Sequence, residues 1–113
     1  MPTLRPLTDQ AYFALVALID QPLHGYAIMQ RVAELSEGRL RPTTGTLFGA
    51  LERMAEQGLV VAGEIEVVKG RARRAYELTP RGRAAISDHA ATLGRAADVG
   101  VSALRSARIG SQA

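Results

Sequence analysis

The chain has 113 residues, 47% of them hydrophobic and 22% charged, which is one domain's worth of polypeptide whose small core would gain from being shared with a second subunit. With no cysteine it holds no disulfide framework, thiolate zinc site or redox couple; with no signal-peptide pattern and no run near the ~20 apolar residues of a span, a cytoplasmic protein without a membrane partner is expected. The net charge of +3 is uneven: nine cations (Arg39, Arg41, Arg53, Lys69, Arg71, Arg73, Arg74, Arg81, Arg83) face five acids (Glu52, Glu56, Glu64, Glu66, Glu77) between Arg39 and Arg83, the clustering that a phosphate backbone attracts.

Helical periodicity begins after Thr8, a suitable N-cap. Tyr12, Leu15, Val16 and Ile19 fall on one face, Leu7 can staple against Tyr12, and Pro22 predicts an end near Asp20. A second helix is expected from about His24-Gly25-Tyr26 through Ile28, Met29, Val32 and Leu35, with Gly38 as its stop and Tyr26 as core packing between helices. Thr43 is the N-cap candidate of a third helix. Its apolar stripe is Leu47, Ala50, Leu51 and Met54, and Gly58 followed by Leu59 predicts a Schellman ending.

The period then changes from helical to extended. Leu59-Val60-Val61, Glu64 to Val68 and Arg74 to Leu78 read as the strands of a β-hairpin, with Lys69-Gly70-Arg71-Ala72-Arg73 as a basic tip. Thr79-Pro80 opens a last helix, about 40 Å long, whose stripe is Ile86, Ala90, Leu93, Ala97, Val101 and Leu104. Gly94 and Gly100 mark where it could kink, and the last four residues read as a frayed tail.

The order helix, helix, helix, hairpin, helix predicts a mainly α fold with a small β-hairpin: a winged helix-turn-helix plus a C-terminal dimerisation helix. The expected division is residues 1–79 for DNA binding, 80–109 for the dimerisation helix and 110–113 for the tail. On the third helix, small residues occupy the exposed face of the first two turns and Glu52 and Glu56 the last. That gradient suits entry into a major groove by the N-terminal end, where free N–H groups favour phosphate. No nucleophile, P-loop or HExxH motif is present, and His24 and His89 lack partners at ligand spacing, so neither an enzyme nor a metal or cofactor site is expected.

The stretches Leu23-His24-Gly25-Tyr26-Ala27-Ile28, Gly45-Thr46-Leu47-Phe48-Gly49-Ala50-Leu51-Glu52-Arg53-Met54 with Gly58-Leu59-Val60, and Arg74 to Arg83 together resemble the PadR family of bacterial transcriptional regulators, in the right order over roughly Leu7 to Arg83. The single C-terminal helix is similar to that of compact members. The resemblance implies homodimerisation through that helix, binding of a palindromic promoter site in double-stranded DNA, repression, and release by a small apolar or aromatic effector. On this reading Thr43, Thr44, Gly45 and Phe48 seat the recognition helix, while Lys69, Arg71 and Arg73 contact the backbone or minor groove. The stripe from Ile86 to Leu104 is the dimer seam, and Tyr12, Leu15, Leu93 and Ala97 border an effector pocket. The family commonly has tyrosine at the position of Phe48, and no Trp is present to sandwich a planar drug as in some compact members. The competing reading is a winged-helix module that holds another protein by its apolar C-terminal helix and does not touch DNA.

Overall fold

The structure is a computed structural model and describes residues 6–112. Four helices, α1 (Asp9–Ala17), α2 (Gly25–Leu35), α3 (Thr44–Glu56) and α4 (Pro80–Gln112), surround a sheet of three strands, β1 (Leu23–His24), β2 (Val60–Val68) and β3 (Arg71–Leu78). The fold is the expected winged helix-turn-helix with a long C-terminal helix.

The helix starts follow their caps. Thr8 Oγ1 accepts from Ala11 N–H at 3.1 Å, Thr43 Oγ1 from Thr46 N–H at 3.2 Å and Thr79 Oγ1 from Gly82 N–H at 2.9 Å, each satisfying a first-turn donor. The ends are more varied. Helix α1 stops at Ala17, short of Asp20, because its last turn tightens into three-residue bonds from Leu18 to Leu15 and from Ile19 to Val16. At the end of α2 the Schellman bonds run from Gly38 N–H to Ala33 and from Glu37 N–H to Glu34, so the left-handed residue after the cap is Glu37 (φ 56°), with Gly38 following it. The end of α3 is as expected. Gly58 (φ 77°) donates to Ala55, Leu59 donates to Met54, and the Leu59 side chain is buried against the last turn.

Strand order is β1-β3-β2, all antiparallel. The two-residue strand β1, pairing Leu23 with Tyr76 and His24 with Ala75, is absent from the sequence reading because two residues are too few to display a period. The hairpin tip is tighter than expected. Val68 pairs with Arg71, leaving Lys69 (φ 52°) and Gly70 (φ 77°) as a two-residue turn, so Arg71 and Arg73 are strand residues. Between the pairs Ala62–Tyr76 and Ile65–Arg74, two residues of β2, Gly63 and Glu64, oppose one of β3, Ala75; this bulge keeps Ala62 and Ile65 on the same face as Tyr76 and Arg74.

The core joins Leu15 of α1, Ile28 and Val32 of α2, Leu47, Leu51 and Met54 of α3, and Leu59, Val60 and Tyr76 from the hairpin. The first turns of α4 close it from the other side. Ala85 is buried and Ile86 packs against the cluster, while Gly82 lies so close to the Leu59 carbonyl and to Leu78 Cδ1 that a Cβ there would be 2.6 Å from the latter. The Thr79 hydroxyl donates to the Gly58 carbonyl at 2.7 Å, and Arg83 donates to the Ile19 carbonyl at 2.9 Å, tying the start of α4 to the ends of α3 and α1. Beyond His89 the helix leaves the domain.

Helix α4 runs unbroken through Gly94 and Gly100, the two points at which the sequence leaves a kink open, and past residue 109 to Gln112. Among the described residues no atom outside the helix's own backbone lies within 4 Å of where a Cβ would stand on either glycine, and the sequence beyond Arg108 carries no proline to end the helix. Its 33 residues span about 50 Å and give the molecule a longest dimension of 68 Å.

Candidate nucleic-acid interface

Helix α3 buries Leu47, Ala50, Leu51 and Met54, which leaves Thr44, Gly45, Thr46, Glu52, Arg53 and Glu56 exposed. Its first turn contains no acid. Thr43 caps Thr46, and its hydroxyl donates to Thr46 Oγ1 at 2.9 Å; the N–H groups of Thr44 and Gly45 therefore remain as the outward-directed donors of the helix end. With Glu52 and Glu56 at the other end, the solvent face runs from polar and partially positive to acidic.

Phe48 does not stand free on this face. Its ring lies over Gly25, the first residue of α2, so closely that a Cβ on Gly25 would come within 2.6 Å of Phe48 Cε1. The missing side chain at position 25 admits the ring, which wedges the N-terminus of α2 against α3. Beside it Tyr26 is 70% exposed and does not pack between helices. The helical wheel could have given this: Ile28 and Val32 define the buried face, and Tyr26 lies about 200° from Ile28.

Two basic segments flank α3. In the turn before it, the buried Ser36 accepts from Leu40 N–H at 3.0 Å, and Leu40 packs on the core, so that Arg39 and Arg41 on either side of it are exposed. On the wing, Lys69, Arg71 and Arg73 are all exposed. Their surroundings differ: Arg71 is paired across the strands with Val68, whereas Arg73 stands directly opposite Glu66. Arg74 points to the other face, with Tyr76 and Ile65, and its Nε is buried.

Along α4, Ile86 is half-buried in its own domain's core, but Ala90, Leu93 (41% exposed), Ala97, Val101 (53%) and Leu104 (75%) lie on the projecting part. Of the residues tied to an effector pocket, Tyr12 is half-buried with its ring 5.1 Å from that of His89, a contact invisible in the sequence, and Leu15 is wholly inside the core. A pocket of about 180 Å³ does open at the surface, lined by Leu7, Ala11, Ala50, Arg53, Met54 and others between α1 and α3; none of the four residues borders it. Among the described residues no helix is long and apolar enough to cross a membrane.

A two-residue wing turn beside an exposed helix that follows a helix-turn define a winged helix-turn-helix protein built to present one helix end and a cationic hairpin. Residues 14–88 match the model of the transcriptional regulator PadR-like family, and the chain belongs to that family, one of regulators and not of enzymes. It is 45% identical over 69 residues to the transcriptional regulator Rv3488 of Mycobacterium tuberculosis, a match covering 61% of this chain and 61% of that protein, thus less than two thirds of the relative's length. A PadR family transcription regulator of Clostridium difficile R20291 shares the fold with a TM-score of 0.72 at 21% identity, over 86% of this chain and 99% of that one. The Bacillus subtilis PadR, solved in complex with operator DNA, superposes with a TM-score of 0.60 at 19% identity, over 69% of this chain and 45% of that one.

Proposed function

We propose that the chain is a cytoplasmic, homodimeric transcriptional repressor that binds a palindromic promoter site in double-stranded DNA and is released by a small apolar or aromatic effector. One observation carries the DNA-binding reading: the acid-free N-terminal end of α3 is exposed beside a wing whose three cations, Lys69, Arg71 and Arg73, are also exposed. The operator complex of Bacillus subtilis PadR, a protein of the same fold, supports it. Thr43, Thr44 and Gly45 offer the helix end to a phosphate, and Phe48 contributes by wedging α2 against α3. Lys69, Arg71 and Arg73 hold the flanking backbone or minor groove.

Residues 1–79 carry these contacts, and 80–109 supply the seam of Ala90, Leu93, Ala97, Val101 and Leu104, with Ile86 anchoring it to the core. Effector binding is assigned to the junction of α1 and α4, where Tyr12 meets His89 one turn before Leu93 and two before Ala97, over Leu15.

A mobility-shift titration over a range of salt tests the reading. The logarithm of affinity should fall with that of salt by about 0.9 per neutralised phosphate. Replacing Arg71 and Arg73 together by Ala should weaken binding on every sequence and flatten that slope; unchanged affinity and slope remove the wing from the interface. A monomer that binds no duplex at any salt concentration points instead to the protein-interaction module.

A further inference from the structure

We infer that Arg53 is the residue with which this protein discriminates among base sequences, and that it recognises a guanine in the major groove. The inference rests on the DNA-binding reading above and adds to it the origin of specificity, which helix-end and wing contacts to phosphate cannot supply.

The other exposed groups of α3 are poor readers. The hydroxyls of Thr43 and Thr46 are engaged with one another and with the first-turn N–H. Thr44 can donate or accept, so its hydroxyl does not distinguish one base edge from another. Gly45 and Gly49 have no side chain, and the Phe48 ring, 36% exposed with one edge against Gly25, offers a base only apolar contact and no hydrogen bond. Glu52 and Glu56 are repelled by the phosphates that line a groove. Arg53 remains as the one cationic, forked donor on the helix, and that fork matches guanine O6 and N7.

Its placement fits that task. The residue is exposed, and among the described residues no hydrogen bond or ion pair holds it, although Glu52 and Glu56 are close in sequence. The side chain runs back toward the N-terminus, as helical side chains do. A methyl group on Gly49 would lie 3.4 Å from Arg53 Nη1, so the guanidinium sits over Gly49, about 6 Å nearer the groove-entering end than its own Cα. Gly49, which the sequence marks only as a small residue on the exposed face, is the floor on which the guanidinium rests.

Selection from a randomised duplex library with the wild-type protein, Arg53→Lys and Arg53→Ala tests the inference, followed by titration of the wild-type-selected duplex and a scrambled one. Wild type should select a guanine in each half-site. Arg53→Lys, which keeps the charge but not the fork, should bind the scrambled duplex as wild type does, with the same salt slope, while its preference for the selected duplex falls roughly ten- to a hundredfold. The same guanine selected by both variants at the wild-type ratio overturns the assignment. So does an equal loss on both duplexes with Arg53→Ala and a slope shallower by about 0.9, the mark of a phosphate contact. Wild-type protein that binds no duplex would instead strike down the DNA-binding reading itself, a result separable from either of these.

Discussion

Gly25 and Gly82 occupy positions where another part of the chain fills the space a Cβ would need, and the two cases differ in what would have to yield. At Gly25 the obstacle is the Phe48 ring, a side chain; at Gly82 it is the Leu59 carbonyl, held in place by the Schellman turn and by the Thr79 N–H. Gly25→Ala should therefore destabilise the fold by about 1–3 kcal/mol, and most of that cost should vanish in a Phe48→Ala background, a coupling that urea denaturation of the four proteins would measure. Gly82→Ala has no such rescue. At the wing, the strand pairing makes a further distinction that a count of charges cannot. Glu66 stands opposite Arg73, where its charge lowers the positive potential, whereas Val68 opposite Arg71 carries no charge to do so. Arg71→Ala should weaken DNA binding more than Arg73→Ala, and Glu66→Gln should strengthen it by about two- to fivefold, in keeping with the small worth of an exposed pair. Equal effects of the two arginine variants in a mobility-shift titration would contradict this ordering.

Elements were legible where local chemistry decides them. The three threonine caps and the Gly58 ending are side-chain or backbone preferences that act within four residues, and each appears where the sequence puts it. What the sequence hid depends on distant partners. Strand β1 exists because β3 lends it two pairings, Lys69 adopts a left-handed conformation because the twist of the hairpin requires a turn of that hand, and the Tyr12–His89 contact joins residues 77 positions apart (89 − 12). Helix α4 is continuous at Gly100, a point the sequence leaves open, because a glycine lowers helix propensity without providing any alternative bond to replace the helical one. Ser36 is the clearest case of a residue whose weight only the fold reveals. No sequence pattern singles it out, yet it is buried, accepts from Leu40 N–H, and lies 3.3 Å from the Ala33 carbonyl and 3.4 Å from that of Leu40, to one of which it donates. Ser36→Ala would leave the Leu40 N–H without its acceptor and should cost about 1–3 kcal/mol in urea denaturation. It should also release the turn that carries Arg39 and Arg41. Of the candidate interface, the caps, the small-residue face of α3 and the wing cations were readable in advance; Arg53 over Gly49 was not, since a side chain's path along its own helix leaves no periodic trace.

For the whole molecule, the decisive feature is a helix whose first three turns belong to the domain and whose remaining length does not. Leu93, Val101 and Leu104 line one side of that projecting part and remain exposed among the described residues. Burying all three from each of two copies is worth on the order of 10 kcal/mol before the cost of association, which is the scale a stable dimer needs. If the proposed dimer forms through this stripe, stability is tied to concentration, because the pairing energy appears only when two chains meet. The urea midpoint of the wild-type protein should rise with protein concentration, by an amount equivalent to about 1.4 kcal/mol for each tenfold increase. Leu93→Asp combined with Val101→Asp should give a monomer in light scattering with a midpoint independent of concentration. Its winged-helix core should stay folded, since that core is complete by Ile86, upstream of both substitutions. The same variant should bind a single half-site with nearly the wild-type preference but lose the added affinity of two half-sites on one duplex, because only the connection between the two recognition helices has been cut. A wild-type protein that scatters as a monomer with a concentration-independent midpoint would mean that the apolar stripe serves a different partner, and the spacing of any palindrome would then have to be explained without it.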